Sequence, residues 1–275
     1  MYEDTSVEAS VLPKGGRVLC IASAGDTARA LASRHDQVVA VDINPVQLAY
    51  TRERLDGNPA RRGTAEQVMG ALRQLLPVAG LTGSRLREFL ELDDPRAQLE
   101  FWNHKLKTRR FVLGLNALLS LTGLKAVYAS PFLTVLPPRF SEVMLGRLER
   151  CFGLHPNRTN PFARALFLGE AAPTEGAAPS NIELVCSDVA AYLESQPARS
   201  FSGFTLSNIL DGAPPEYRAR LMAALTRAAM PGAAMVLRSF GEPAADMKEN
   251  LAAQDRSMLW GVVEVHRFGV PQATA

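Results

Sequence analysis

The sequence predicts an α/β protein whose doubly wound, mostly parallel sheet is interrupted by a large helical insertion after the second strand. Short apolar runs rich in β-forming residues alternate with helical patterns at both ends of the chain. Each run ends in polar or glycine residues, whereas β-type patterns are missing from residues 57–179. Strands that alternate with helices are typical of parallel sheets, which bind ligands at the carboxyl ends of their strands.

Composition and net charge exclude several classes of protein function. The 275 residues are 47% hydrophobic and 21% charged, enough chain for one large or two small folded domains. A net charge of +2 is too small for the electrostatic footprint of a nucleic-acid binder. Three scattered cysteines suggest neither a disulfide framework nor a metal site, and the acidic start does not resemble a secretory signal. We therefore expect a cytoplasmic protein without metal or nucleic-acid partner.

The first strand-helix-strand unit lies near the N-terminus. Residues 17–23 (RVLCIAS) predict a buried strand that ends in a turn at Gly25, and residues 27–33 predict a helix. Residues 37–42 (QVVAVD) predict a second strand, which is followed by a helix through Leu55. We assign residues 1–56 to the sheet domain and residues 57–179 to the helical insertion.

Strands resume after a segment rich in Ala, Pro and Gly at residues 170–180. Residues 182–186, 203–207 and 234–238 predict three more strands, with a helix over residues 215–229. The last apolar run, residues 259–265, predicts an edge strand. Residues 180–275 thus complete the sheet domain.

The turn after the first strand and the acid after the second have the pattern of an adenosine-cofactor site. Gly25 permits a close backbone approach, and the following helix offers N–H groups to an anion. Asp42 is placed to accept hydrogen bonds from ribose hydroxyls. One glycine stands where the dinucleotide fingerprint needs three, which favours a compact cofactor such as S-adenosylmethionine. The alternative is an ordinary turn glycine and a helix-capping aspartate.

Polar residues after the later strands have two interpretations each. Asp188 could bind an adenine edge or cap a helix, and Ser207 and Asp211 lie where a reacting group would sit or serve the loop. Arg238 could bind a cofactor carboxylate or form an internal ion pair. The candidates for a catalytic base are few, because the chain has four histidines; they are Asp211, His155, Tyr128 and Tyr217, with His35, His104 and His266 as weaker choices.

Three motifs together resemble a known family: IASAGD at residues 21–26, VVAVDINPVQLA at residues 38–49 and DRSMLWG at residues 255–261. They are similar to the S-adenosylmethionine:diacylglycerol 3-amino-3-carboxypropyltransferases of betaine-lipid biosynthesis and their bacterial relatives. The segments at residues 2–4, 160–162 and 206–211 are similar too, so the resemblance spans nearly the whole chain. It is specific at both ends and loose in the helical middle.

The resemblance implies a class I methyltransferase-like, Rossmann-like fold with S-adenosylmethionine as co-substrate and the insertion as acceptor-binding lid. The implied reaction transfers the 3-amino-3-carboxypropyl group to an acceptor hydroxyl, diacylglycerol first, and releases methylthioadenosine. The chain is shorter than typical diacylglycerol enzymes, so a soluble acceptor, methyl transfer and a non-catalytic binding role stay open. The predicted catalytic residues are Asp211, His155 and Tyr128, and the predicted cofactor residues are Ser23, Gly25, Asp26, Asp42, Asp188 and Ser207.

Residues 104–110 (HKLKTRR) stand directly before an uncharged run at residues 111–124. This run is shorter than the roughly 20 residues that span a bilayer. A basic cluster beside an apolar helix is typical of peripheral docking on an anionic membrane, here the inner face. The alternative is a core helix with a solvated basic end.

Overall fold

The computed structural model describes residues 3–58, 64–120, 133, 135–170 and 179–269. A six-stranded sheet with the order β3-β2-β1-β4-β5-β6 forms its centre. The first five strands are parallel and β6 runs antiparallel to β5. The strands are β1 (Arg17–Ile21), β2 (Gln37–Asp42), β3 (Ile182–Cys186), β4 (Phe201–Thr205), β5 (Ala229–Ser239) and β6 (Val262–Arg267).

This strand order is that of a doubly wound, Rossmann-like sheet. The order reverses between β1 and β4, so a crevice for a ligand is expected beyond the carboxyl ends of these strands. The predicted doubly wound, Rossmann-like fold, with its helical insertion after β2, is confirmed.

Helices cover both faces of the sheet and build the insertion. Apolar side chains form a separate buried cluster on each face of the sheet. The described helices are α1 (Ser6–Val11), α2 (Asp26–Ala32), α3 (Pro45–Leu55), α4 (Thr64–Leu75), α5 (Gly83–Leu90), α6 (Pro95–Phe101), α7 (Arg109–Leu118), α8 (Phe140–Leu154), α9 (Pro161–Leu168), α10 (Val189–Ser195) and α11 (Pro215–Ala228).

The insertion has a core of its own. Phe89, Trp102 and Phe152 are fully buried there and pack ring against ring, with centroids 4.9 Å apart for Phe89 and Phe152 and 5.0 Å apart for Trp102 and Phe152. Trp102 begins a π-helical turn, Trp102–Leu106, that follows α6. Aromatic burial on this scale gives these helices a hydrophobic core separate from the two clusters that cover the sheet.

Helix α8 joins the insertion to the sheet. Arg147 of α8 donates hydrogen bonds to the carbonyl oxygens of Phe240 at 2.8 Å, Gly241 at 3.1 Å and Leu259 at 2.5 Å. These residues lie beyond the carboxyl end of β5. The insertion therefore contacts the edge of the sheet where the ligand crevice is expected.

Several elements differ from the sequence prediction. Strand β1 ends at Ile21 rather than at residue 23, and strand β4 spans Phe201–Thr205 rather than residues 203–207. Helix α1 was not predicted, since its six residues are too short for a clear helical pattern. Strand β5 begins at Ala229 rather than at residue 234, because an irregularity in its pairing with β4 accommodates Pro231 and Gly232. Strand β6 lies at an edge as predicted but spans Val262–Arg267. Most of the predicted loop at residues 170–180 lies outside the described residues.

Candidate functional site

A tight turn follows β1 at the point where the strand order reverses. Both Ser23, with φ 46°, and Gly25, with φ 86°, have left-handed backbone conformations. A side chain at position 25 would lie 3.2 Å from Leu55 Cδ2 and 3.3 Å from Thr51 Cγ2. Glycine is therefore needed here both for its backbone conformation and for the close approach of α3.

Two side chains of α3 hold this turn in place. The carbonyl oxygen of Ser23 accepts hydrogen bonds from Thr51 Oγ1 at 2.7 Å and from Gln47 Nε2. The N–H of Gly25 donates to the carbonyl of Ala22 at 2.8 Å. These bonds fix the backbone of the turn before any ligand arrives.

Asp42 ends β2 with half of its carboxylate open. Its Oδ1 accepts a hydrogen bond from the N–H of Asn44 at 2.9 Å, and no described residue donates to its Oδ2. The cap of α3 is Asn44, whose Oδ1 accepts from the N–H of Val46 at 3.0 Å. Asp42 is thus free of the capping role that the sequence left open, and one oxygen can accept a hydrogen bond from a ligand.

Two exposed apolar side chains flank this carboxylate. Ile43 is 71% exposed and Val46 is 75% exposed. Sequence reasoning did not single out either residue, although an isoleucine directly after the strand-ending acid was a usable signal. Apolar surface beside an open carboxylate suits a ligand that combines hydroxyl groups with a flat ring.

Asp26 is engaged in an ion pair. Its Oδ1 lies 2.9 Å from Nη2 of the mostly buried Arg54 of α3. The neighbouring Thr27 donates from Oγ1 to Glu3 Oε2 at 2.9 Å. Asp26 is therefore close to the predicted site, and its pairing with Arg54 helps to hold α2 against α3.

Asp188 follows β3 and caps α10. Its Oδ1 accepts from the N–H of Ala191 at 2.9 Å, and its Oδ2 accepts from Tyr217 Oη at 2.7 Å. Burial and the bond to Asp188 raise the pKa of Tyr217, so this phenol keeps its proton at neutral pH. The capping role is present, and the predicted contact of Asp188 with an adenine stays a prediction.

Ser207 and Asp211 follow β4. Ser207 has a φ of 51° and donates from Oγ to Asn208 Oδ1 at 3.3 Å. Asp211 accepts at Oδ1 from Ser239 Oγ at 2.6 Å and at Oδ2 from the N–H of Phe240 at 3.0 Å. The Asp211 carboxylate thus ties the end of β4 to the end of β5, and its role as a base stays a prediction.

Of the other two predicted catalytic residues, the structure describes only His155. His155 Nε2 lies 2.8 Å from the carbonyl oxygen of Ala253. It lines a separate surface cavity of about 630 Å³ with Ser6 and Arg256 among its neighbours. Tyr128 lies outside the described residues.

A buried charge network around Arg238 occupies the β4–β5 side of the edge. The two acids that take part in it were not identified from the sequence. Arg238 donates to Glu8 Oε2 at 3.1 Å and to Asp255 Oδ2 at 3.0 Å, and all three side chains are buried. Thr205 Oγ1 donates to Glu8 Oε1 at 2.8 Å. The ion pair foreseen for Arg238 is confirmed. A glutamate between Val7 and Val11 on the buried side of α1 was the available signal.

The DRSMLWG motif lies at this junction. Asp255 binds Arg238, and Arg256 pairs with Asp4 through two hydrogen bonds of 2.5 and 2.9 Å. A Cβ atom on Gly261 would stand 1.9 Å from the Gly241 carbonyl oxygen and 2.3 Å from Arg147 Nη2. The motif therefore joins the N-terminal segment, the sheet and the insertion.

Within the described residues, no group of three or more His, Cys, Asp or Glu side chains is arranged to hold a metal ion. None of the helices that the structure describes combines the length and the apolar character needed to cross a bilayer.

Comparisons with known proteins give only remote likenesses. No protein-family model and no curated protein sequence matches the chain. A protein described as a type II methyltransferase from Anaeromyxobacter dehalogenans aligns with 90% of the chain at 10% identity and a TM-score of 0.35, and the chain spans only 51% of its length. The rRNA methyltransferase aviRa from Streptomyces viridochromogenes aligns with 88% of the chain and 74% of its own length, at 16% identity and a TM-score of 0.32. Likeness at this level adds no argument to the topology and geometry above.

Proposed function

We propose that the chain binds S-adenosylmethionine at the β1–β2 carboxyl edge and transfers its 3-amino-3-carboxypropyl group to the hydroxyl of diacylglycerol. The observation that carries the cofactor assignment is the open oxygen of Asp42, beside the exposed Ile43 and across from the tight turn at Gly25. The resemblance of the sequence motifs to aminocarboxypropyltransferases supports the choice of group and acceptor.

The chemistry of the site fits an adenosine. A ribose hydroxyl that donates to the open Asp42 oxygen forms a charge-assisted hydrogen bond, worth about 1.5–3 kcal/mol. The exposed face of Ile43 offers apolar contact to the adenine ring. The backbone at Gly25 can approach the cofactor closely, because no side chain stands there.

The transfer is a displacement at carbon. The acceptor oxygen attacks the γ-carbon of the methionine chain, a C–O bond forms, and the C–S bond breaks. The bonding electrons pass to the sulfonium, which leaves as the neutral thioether methylthioadenosine, and the hydroxyl proton passes to a base. The protein's task is to align acceptor and γ-carbon, and such alignment can supply an effective molarity on the order of 10⁵ to 10⁸ M.

Methyl transfer is the second candidate, because the same cofactor contacts serve it equally well. The two reactions differ only in which carbon of the sulfonium faces the acceptor. Their nucleoside products differ too: methylthioadenosine for aminocarboxypropyl transfer and S-adenosylhomocysteine for methyl transfer.

The test is product analysis with the full chain. The protein is incubated with S-adenosylmethionine and phosphatidylcholine vesicles, with or without diacylglycerol, and nucleosides and lipids are identified by mass spectrometry. We expect lipid-dependent methylthioadenosine, a matching mass gain on diacylglycerol, and loss of both in Asp42→Asn. S-adenosylhomocysteine would instead establish the methyl-transfer candidate. Failure of the chain to bind S-adenosylmethionine at all would reject both.

A further inference from the structure

Helix α7 presents one exposed side, which carries Leu113. Its inner side is anchored by Phe111, which is buried against Trp102 with ring centroids 5.5 Å apart. Leu113, on the other side, is 66% exposed, and Gly114 and Ala117 are exposed as well. Leu113 therefore stands among two small residues and one polar residue, Asn116, on a side of the helix that has no partner among the described residues.

The turn beside α7 extends the exposed apolar surface. The 3-10 turn Leu76–Ala79 packs against α7, and Thr108 Oγ1 donates to the carbonyl of Ala79 at 2.6 Å. Val78 on this turn is 69% exposed, and Leu75 before it is 60% exposed. Leu75, Val78 and Leu113 are three of the seven large apolar side chains that stand out as exposed in the described chain. Such concentration in one region indicates an interaction surface.

Two unpaired cations stand at the start of α7. Arg109 and Arg110 are exposed, and neither side chain has a hydrogen bond or ion pair to the residues that the structure describes. The preceding lysines differ, since Lys105 pairs with Glu88 at 3.2 Å and Lys107 with Glu149 at 2.5 Å. The arginines are thus the charges of this segment that remain available to a partner.

We propose that a docking face, composed of Leu75, Val78, Arg109, Arg110 and Leu113, binds the surface of an anionic membrane. This inference rests on the proposed function insofar as the acceptor is a membrane lipid. Arginines at the headgroup level bind lipid phosphates, while the three apolar side chains enter the boundary of the acyl chains. Arg109 and Leu113 are four residues apart and share one side of the helix, as such binding requires.

Helix α8 connects the docking face to the β5 end of the sheet's carboxyl edge. Glu149 of α8 faces the α7 side, where it accepts from Trp102 Nε1 at 3.1 Å and pairs with Lys107. Arg147, two residues earlier, binds the carbonyls beyond β5. One helix layer, about 10 Å thick, therefore separates α7 from the carboxyl edge of the sheet. A lipid reached through the docking face would enter the molecule on the insertion side.

The combination of charges and apolar groups favours a membrane over a nucleic acid. A nucleic acid would bind the arginines through its phosphates but would gain little from three exposed aliphatic side chains. The dependence of binding on Leu113 therefore separates the two partners.

The experiment measures sedimentation of the full chain, without cofactor, with phosphatidylcholine vesicles and with vesicles that also contain phosphatidylglycerol. The test variants are Arg109→Gln with Arg110→Gln, and Leu113→Ser. The matched controls are Arg199→Gln with Arg267→Gln, and Met230→Ser, which change exposed residues near the amino ends of β4 and β5. We expect binding to the anionic vesicles, weaker by about 30-fold in the double arginine variant and by about tenfold in Leu113→Ser.

Binding that is absent in the natural chain, or equal in test and control variants, would overturn the docking face. Loss in the arginine variant without loss in Leu113→Ser would also overturn it and would indicate a polyanion such as a nucleic acid. A calorimetric titration with S-adenosylmethionine keeps the two proposals apart. Vesicle binding without cofactor binding removes the proposed function alone, and cofactor binding without vesicle binding removes the docking face alone.

Discussion

The carboxyl edge of the sheet has two halves that carry the same kinds of polar residues. The halves differ in whether those residues are already hydrogen-bonded within the protein. Beyond β2, Asp42 keeps an oxygen open to solvent and Ile43 is exposed. Beyond β4 and β5, both oxygens of Asp211 are hydrogen-bonded, and Arg238 is buried between Glu8 and Asp255. A polar residue at this edge therefore indicates a ligand site only where the protein itself leaves a hydrogen-bonding atom of that residue without a partner.

Removal of Glu8 should strongly destabilise the half of the edge beyond β4 and β5, the closed half. Glu8→Ala leaves Arg238 with one buried acid instead of two and leaves Thr205 Oγ1 without its acceptor. We expect a loss of about 3–5 kcal/mol in the free energy of unfolding, measured by urea denaturation. Glu142→Ala, at an exposed pair on α8, should change it by less than about 1 kcal/mol. Equal effects of the two substitutions would contradict the assigned network.

The attachment of the insertion depends on Arg147. Burial lowers the pKa of this arginine, because desolvation disfavours its charged form, and Glu242, 2.7 Å away, partly offsets this effect. Arg147→Met leaves several carbonyls unsatisfied, so we expect a loss of about 2–3 kcal/mol and faster proteolysis within the insertion. Arg139→Met, at the exposed start of the same helix, should leave both readouts nearly unchanged. Unchanged proteolysis in Arg147→Met would contradict the attachment.

Two glycine substitutions should have effects of opposite sign. Gly261→Ala places a methyl group against the Gly241 carbonyl and Arg147, which we expect to cost about 1–3 kcal/mol. Gly146→Ala lies within α8 with nothing within 4 Å of the new methyl group, and should stabilise by about 0.5–1 kcal/mol. Thermal or urea unfolding of both variants measures this. A neutral Gly261→Ala would mean that Gly261, Gly241 and Arg147 do not pack closely at this junction.

The smallest expected effect is a pH dependence at Asp4. Burial alone would raise the pKa of this carboxyl, but the hydrogen bonds and charge of Arg256 lower it below 3.8. Its stabilisation is therefore present above that value and is lost as the pH falls through the lower folded-state pKa. Burial raises the pKa of Asp255, which acts in the opposite direction.

Comparison with Asp4→Asn isolates the Asp4 contribution. The stability advantage of the natural chain over this variant should shrink as the pH is lowered from about 5 towards 3, in urea unfolding. An advantage that stays constant over this range would show that Arg256 does not lower the pKa of Asp4.

Local sequence patterns correctly predicted the elements around the open half of the edge, which lies beyond β2. Residues 37–42 and Pro45–Leu55 form β2 and α3 with the predicted bounds, because a β-branched apolar run is followed by an Asn cap and a proline at the first helical position. The predicted start of β5 was wrong. Pro231 and Gly232 usually break strands, and only the pairing with β4 shows that the strand continues through them.

Local sequence patterns could not predict which candidate side chains are already hydrogen-bonded within the fold. Arg238 and its partner Glu8 are 230 positions apart, and Asp211 and Ser239 are 28 apart. No local pattern in the sequence reveals which acids the folded chain satisfies at such distances. The position of Asp42 was therefore predictable, whereas its open oxygen was not.

Calorimetric titration with S-adenosylmethionine tests whether the open half of the edge, beyond β2, is the cofactor site. The variant is Asp42→Asn and its control is Asp36→Asn, which sits at the opposite end of β2 and likewise accepts a backbone N–H, that of Gly16 at 2.7 Å. With circular dichroism confirming that both variants fold, we predict that affinity falls about ten- to a hundredfold in Asp42→Asn and not in Asp36→Asn. Natural affinity in a folded Asp42→Asn would contradict the account.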